Sequence, residues 1–315
     1  MSGSHQFELT MKSGRKMPAI GLGTYAPKES EGEVITAVKS AVRAGYRHLD
    51  CAALFRNEVA VGHAIKHLIV EGVINRQQLF ISSKLWNTCH QPDLVRTSLK
   101  KTISDLGVGY LDLYLMHWPM TYKEGGDFVP RDESGKVIFS DVDFLDTWKA
   151  LEDCVDEGLV HDIGVSNFNS KQVLAIQNAA RIAPSNIQIE AHCWLSNVRL
   201  IEFCQSRGLT VTALSPLASP GNFQTHLLDE KVLKDIATKK NKSPAQVALR
   251  FLLQQGVGVL PKSTNPTRIA ENINIFNFEL SKDEMQLLFS LNKNQRLNSE
   301  EISRDHKYYP FCEDF

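Results

Sequence analysis

Three polar residues stand where short apolar runs end, and their types could carry proton chemistry. Asp50 closes His48-Leu49-Asp50, Lys84 closes Leu79-Phe80-Ile81-Ser82-Ser83-Lys84, and His117 closes Leu111-Asp112-Leu113-Tyr114-Leu115-Met116-His117. If these runs are strands pointing the same way, Asp50 and Lys84 face one cavity and form an ion pair. Taken singly, each is as well explained by a solvated charge near a loop end, and His117 by a core histidine. A second cluster could hold an anion. Lys262-Ser263-Thr264-Asn265-Pro266-Thr267-Arg268-Ile269-Ala270-Glu271-Asn272 joins the last apolar run to a helix start. It brings a cation, two hydroxyls, free N–H groups and an arginine within reach of a phosphate, although a charged, solvated helix start has the same composition. His63 and His67 are spaced for a metal-binding helix, but position 64 is Ala64 where a catalytic glutamate is needed, so they read as surface residues. No metal site is expected.

A regular alternation of elements must position these groups. Phe7 to Leu9 and Arg15 to Pro18 flank Lys12-Ser13-Gly14, an N-terminal hairpin. From there, apolar segments of helical period alternate with short strands. Val34 to Val42, Val59 to Ile69, Pro92 to Leu106, Phe144 to Asp156, Lys171 to Ala180, Val198 to Ser206 and Ser243 to Gln255 read as helices. The last opens with Ser243-Pro244 and Gln246, which supply an N-cap, a first-turn proline and a capping box. The strand around Ile20 and those ending near Asp50, Lys84, His117, Val165, Glu190, Ala213 and Leu260 make eight, the pattern of a (β/α)8 TIM barrel in one domain, 1–315. Asp50, Lys84, His117, Asn167, Glu190, Ser215 and Lys262 then gather at the C-terminal rim, where such barrels place their chemistry. Long connections from Met120 to Asp143 and Leu217 to Leu228, and a tail from Asn292 to Phe315, overhang that rim. Gly21-Leu22-Gly23-Thr24-Tyr25-Ala26 also fits the G-x-G-x-x-A dinucleotide fingerprint. That mechanism needs a helix opening at the glycines, and Pro27 intervenes before the helical pattern.

Bulk properties exclude other classes. A net charge of −1 over 315 residues supplies no basic field for nucleic acid. The polar start lacks a signal-peptide pattern, and no apolar stretch approaches a membrane span. Six scattered cysteines without a CxxC pair suit reduced thiols in the cytosol, and a monomer is expected.

The stretch Gly45-Tyr46-Arg47-His48-Leu49-Asp50-Cys51-Ala52-Ala53-Leu54-Phe55-Arg56-Asn57-Glu58 resembles the signature of the aldo-keto reductases. So do Ser83-Lys84-Leu85-Trp86-Asn87 and Leu113-Tyr114-Leu115-Met116-His117-Trp118-Pro119, and the likeness runs over essentially the whole chain. The resemblance implies NADPH-dependent reduction of aldehyde and ketone carbonyls. It casts Asp50, Lys84 and His117 as three members of a catalytic tetrad whose fourth member, a proton-donating tyrosine, falls at position 55. This chain has Phe55 there, a ring with no proton to give. The resemblance further implies that Thr24 and Asp50 contact the cofactor and that Ser166, Asn167 and Gln188 hold its nicotinamide carboxamide. Leu214, at a position where the family often stacks a tyrosine, packs on the ring. Ser215, Leu217 and Ser219 cover the pyrophosphate. Lys262, Ser263, Thr264 and Arg268 take the 2'-phosphate, and Asn272 lies near the adenine. Tyr25, Trp86, Trp118 and Trp194 are expected to wall a small-molecule carbonyl pocket. The alternative is an NADPH-binding protein with little turnover, acting as a sensor, partner subunit or bulk soluble protein.

Overall fold

The computed structural model describes residues 7–218 and 226–312. In chain order the elements are β1 Glu8–Thr10, β2 Lys16–Pro18, β3 Leu22–Gly23, α1 Glu31–Ala44, β4 His48–Asp50, α2 Glu58–Val70 and β5 Phe80–Leu85. They continue with α3 Pro92–Asp105, β6 Leu111–Met116, α4 Phe144–Asp156, β7 Val160–Ser166, α5 Ser170–Ala179, β8 Asn186–Glu190 and α6 Val198–Ser206. Last come β9 Thr210–Leu214, α7 Lys231–Lys240, α8 Pro244–Leu253, β10 Val257–Val259, α9 Pro266–Asn272 and α10 Lys282–Phe289.

β1 and β2 pair antiparallel, Leu9 opposite Met17, as the expected hairpin. Strands β3 to β10 form one parallel sheet in sequential order, and a parallel bridge from Ile20 to Val259 closes it into the (β/α)8 barrel. The two glycines of the fingerprint-like stretch serve that closure. A Cβ at Gly21 would meet the His48 ring at 2.8 Å and Leu260 at 2.7 Å, and one at Gly23 would meet the Leu260 carbonyl at 3.0 Å. The dinucleotide-fingerprint reading therefore fails, because these glycines bring strands together and no helix opens at them.

The helices take their places for local reasons. Ser243 accepts from the Gln246 amide and Gln246 from the Ser243 amide, a complete capping box at the start of α8, with Pro244 in its first turn. α1 is opened the same way by Ser30 and Glu33 and closed by Gly45 at φ 109. α7 and α10 break the one-helix-per-strand rhythm and were not among the expected elements. The main core lies between the strands and this helical ring, with Leu49, Ile81, Leu111, Ile163, Ile187 and Val211 all fully buried. At the opposite end of the barrel from the polar rim, Met11 and Met17 of the hairpin region pack with Phe80, Leu113 and Leu115 as a plug. At the rim, the connection after β6 folds on itself through bridges Tyr122 to Phe139 and Arg131 to Val137. Trp86, Trp118, Met120, Tyr122 and Tyr309 bind it to the tail in a separate apolar cluster. Among the described residues, no helix is long and apolar enough to cross a membrane.

Candidate active site

Each polar residue expected at the rim sits at or just past a strand end, so the barrel's rigidity sets its direction. Asp50 ends β4 and Lys84 lies one residue before the end of β5. Register carries them to the same side, because Asp50 pairs with Ser82 and Ser82 lies two residues, one pleat period, before Lys84. The Lys84 ammonium donates to Asp50 Oδ2 and to the Cys51 carbonyl, both at 2.8 Å. Asp50 Oδ1 accepts from Ser82 Oγ at 2.8 Å and from Gln188 Nε2 at 3.0 Å. His48 steadies Ser82 through Nε2, 3.0 Å away. With Lys84 1% and Asp50 4% exposed, this is a buried pair in which both carboxylate oxygens are hydrogen-bonded and the ammonium makes two bonds.

His117 follows β6. Its ring stands edge-on to Trp86 at 5.4 Å and to Phe55 at 6.3 Å, and its Nδ1 is buried without a partner. Burial holds its pKa well below the ordinary value of 6.5, and the charges of Lys84 and His90 add to that. It is a neutral imidazole at pH 7. Phe55 ends the short turn Ala53–Phe55, where Arg56 at φ 55 reverses the chain. The Lys84 ammonium lies 5.2 Å from the centre of its ring. Lys84, His117 and Phe55 thus surround one point, and only two of them bear a polar group.

These residues floor a cavity of about 480 Å³ whose walls include Tyr25, Trp118, Leu214 and Leu217. The aromatic wall is smaller than expected. Trp86 is buried behind His117 with its indole N–H on the Phe128 carbonyl, 2.6 Å away. Trp194 is turned to Glu230, 2.7 Å from its N–H, with the Lys293 ammonium over its ring. Neither lines the cavity, since each indole N–H is satisfied elsewhere.

The expected cofactor residues fall into two groups. Thr24 donates through both N–H and hydroxyl to the Asp50 carbonyl, at 3.0 and 2.9 Å, fixing the strand end rather than opening to the cavity. Ser166 Oγ is committed to the Gln188 carbonyl at 3.0 Å, and Gln188 Nε2 to Asp50. Asn167, at φ 60, donates to the His117 carbonyl at 3.0 Å and keeps its Oδ1 buried without a partner. An unfilled acceptor there fits a carboxamide N–H, which is the donor that a nicotinamide offers. At the other end Ser263 is tied into its turn by the Asn265 amide at 3.1 Å, Thr264 is half-buried and Arg268 exposed. Asn272 is buried in the last turn of α9. Lys262 is not free: its ammonium is paired with the Glu29 carboxylate of the loop before α1. Ser215 stands at φ 47 with its hydroxyl accepting from Asn298 at 3.3 Å, and Ser219 lies outside the described residues.

This whole-chain barrel with a buried Asp–Lys pair under one cleft can be compared with known proteins. The Aldo/keto reductase family model matches residues 19–293. The chain belongs to that family. The aldo-keto reductase family 1 member A1 of Gallus gallus is 44% identical over 96% of this chain and 97% of its own length. That of Homo sapiens is 43% identical, with the same shares covered. A solved aldose reductase from Schistosoma japonicum superposes with a TM-score of 0.94 at 44% identity, over 98% of this chain and 100% of that one. Family membership makes this aldo-keto reductase an oxidoreductase acting on carbonyl compounds.

The tail expected over the rim contributes cavity residues that were not singled out beforehand. Leu297, Asn298, Ser299, Glu300 and Glu301 line the cavity. They are held by Glu190, fully buried at the end of β8, whose carboxylate accepts from the Leu297 and Asn298 amides, both at 2.8 Å. Burial alone would raise the pKa of Glu190, but bonds from His192 and from these amides leave it lowered. A glutamate closing a strand was visible in the sequence; its partners more than a hundred residues away were not.

Proposed function

We propose that the chain is a cytosolic, monomeric, NADPH-dependent reductase of aldehydes and ketones whose proton delivery is weakened by Phe55. The observation that carries the reading is the Asp50–Lys84 pair at 2.8 Å beneath a cavity that His117 and Asn167 also line. The overall reaction adds a hydride and a proton to a carbonyl, giving an alcohol and NADP⁺. Bound NADPH supplies the hydride. Asn167, with Ser166 and Gln188, would hold its carboxamide, Leu214 would pack on its ring, and Thr264 and Arg268, with Lys262 and Ser263, would take the 2'-phosphate.

What this chain adds is orientation and charge. Neutral His117 offers an N–H bond to the carbonyl oxygen, and the nearby Lys84 ammonium favours the negative charge that grows there. Since His117 is held neutral at pH 7, it is a poor source of the proton itself, and water admitted to the cavity is the donor. Positioned general acids contribute roughly 10²- to 10⁴-fold, so turnover is expected to be slow by about that factor. Six free cysteines are in keeping with a reducing compartment.

The absence of a hydroxyl at Phe55 also supports a second reading, a cofactor-binding protein with negligible turnover. NADPH affinity measured beside NADPH oxidation on a panel of aldehydes separates the two. Measurable aldehyde-dependent oxidation supports the reductase; tight NADPH binding with none on any aldehyde supports the binder.

A further inference from the structure

The charged groups around the cavity cancel with one exception. Asp50 is matched by Lys84 at 2.8 Å, Lys262 by Glu29, and Glu301 by Arg304 at 3.1 Å. Glu300 lines the same cavity, half-buried, and the group that meets it is neutral: the Tyr122 hydroxyl donates to its Oε1 at 3.0 Å. No lysine or arginine pairs with it among the described residues. Burial raises its pKa and the Tyr122 bond offsets part of that, so a cation brought into the cavity would stabilise the charged form.

The carboxylate is also held in place. Glu300 sits at φ 50, a left-handed conformation that glutamate rarely adopts, and persists there because the chain is pinned on both sides. Before it, Glu190 grips Leu297 and Asn298, and Tyr309 donates to the Ser299 carbonyl at 2.7 Å. After it, the Ser303 amide bonds back to the Glu300 carbonyl at 2.9 Å, and Ser303 Oγ meets the same Tyr122 hydroxyl. A fixed, half-buried, unpaired carboxylate over a cavity repels a like charge and attracts a cationic donor more strongly than an exposed one would.

We propose that Glu300 determines substrate choice, favouring carbonyl compounds that carry a cationic hydrogen-bond donor, such as a guanidinium or ammonium, over those that carry a carboxylate. The inference rests on the reading of this cavity as the carbonyl site. Its test is equilibrium binding of three matched aldehydes, 4-guanidino-, 4-methyl- and 4-carboxybenzaldehyde, to the full chain saturated at pH 7 with NADP⁺, which cannot reduce them. The guanidino compound should bind about tenfold or more tightly than the carboxy compound, tenfold being about 1.4 kcal/mol, with the methyl compound between. Glu300→Gln, which keeps an acceptor for Tyr122, should collapse the ratio toward one. Glu301→Gln should keep it, because the Glu301 charge is already matched. Equal binding of the three by the unaltered chain, an undiminished ratio in Glu300→Gln, or no aldehyde binding at all would overturn the proposal. Turnover measured in parallel keeps the two readings apart: charge selection in binding without turnover removes the reductase reading and leaves Glu300 sorting carbonyl ligands, not substrates, by charge.

Discussion

The two ends of the cleft are built on different principles. At the floor, Asp50, Ser82, Lys84 and Gln188 come from the strands themselves, are at most 4% exposed, and satisfy one another in a closed network. At the proposed phosphate end, Lys262, Thr264 and Arg268 sit on the segment after β10, exposed or half-buried, and Lys262 is paired with a carboxylate from a different loop. The hydrogen bonds of the floor network are in place before any ligand arrives, whereas an anion that takes Lys262 must first displace Glu29. Phe55 lies at the join, on a turn but beside the network, and it is where the floor lacks a chemical group.

Restoring that group should have the largest effect. Phe55→Tyr places a hydroxyl next to the Lys84 ammonium, which lies 5.2 Å from the ring centre and would lower the phenol's pKa. Aldehyde reduction followed by NADPH absorbance should accelerate up to roughly 10²- to 10⁴-fold, with NADPH affinity little altered. No gain, with the unaltered chain already fast and His117→Ala inactive, would show that the floor was never incomplete.

If the floor is a closed network, breaking it should cost stability as well as activity. Lys84→Met leaves Asp50 charged, buried and held only by Ser82 and Gln188. Removing one member of a buried pair costs about 3 to 5 kcal/mol, and Lys84→Met/Asp50→Asn should recover much of it. Urea unfolding measures both. An unchanged midpoint in the single variant would mean that the floor is no more integrated than the rim.

The same contrast governs what was legible beforehand. Strand ends such as Asp50, Lys84 and Asn167 could be placed because period and cap residues are local, and a barrel turns local order into global direction. Ser243, Pro244 and Gln246 formed the cap they spelled. α7 and α10 were missed although Ser281 and Glu284 make a full capping box, because an extra helix disturbs no strand count. The tail from Leu297 to Glu301 has no period to read, and it reaches the cavity through Glu190 and Tyr122, contacts that no local pattern reports. Lys262 lines the cavity from the segment after the last strand. Its pairing with Glu29 is a contact 233 positions apart.

Buried histidines give the floor and its surroundings a pH signature that the rim should lack. Burial holds His48 and His306 down to about 4 and His90 to about 3, with His117 also lowered. Each is neutral when folded but takes a proton near pH 6.5 when unfolded, so the unfolded chain binds more protons below that pH. Stability is full above about pH 6.5 and declines as pH falls, by up to about 1.4 kcal/mol per pH unit for each histidine, until that histidine's lowered folded value is passed. Unfolding midpoints between pH 7.5 and 4.5 test this. A flat profile would mean that these rings already reach water.

The smallest effect should appear at the rim and distinguishes its two cations. Arg268 is exposed, so replacing it with Ala removes a charge-assisted contact and should weaken NADPH by about 1.5 to 3 kcal/mol while leaving NADH nearly unchanged. Glu29→Gln acts in the opposite sense. The Glu29 pKa is lowered chiefly by its hydrogen bond from Lys262, the sign of a carboxylate already occupying that ammonium. A 2'-phosphate that takes Lys262 must first break this pair, and partly exposed ion pairs are worth only about 0.2 to 1 kcal/mol. Glu29→Gln should therefore tighten NADPH by about that amount, a factor of roughly 1.5 to 5, and shift NADH far less. Titrating both cofactors into both variants is sufficient. If Glu29→Gln weakens NADPH, Glu29 holds Lys262 in position rather than competing for it, and the rim is as preorganised as the floor.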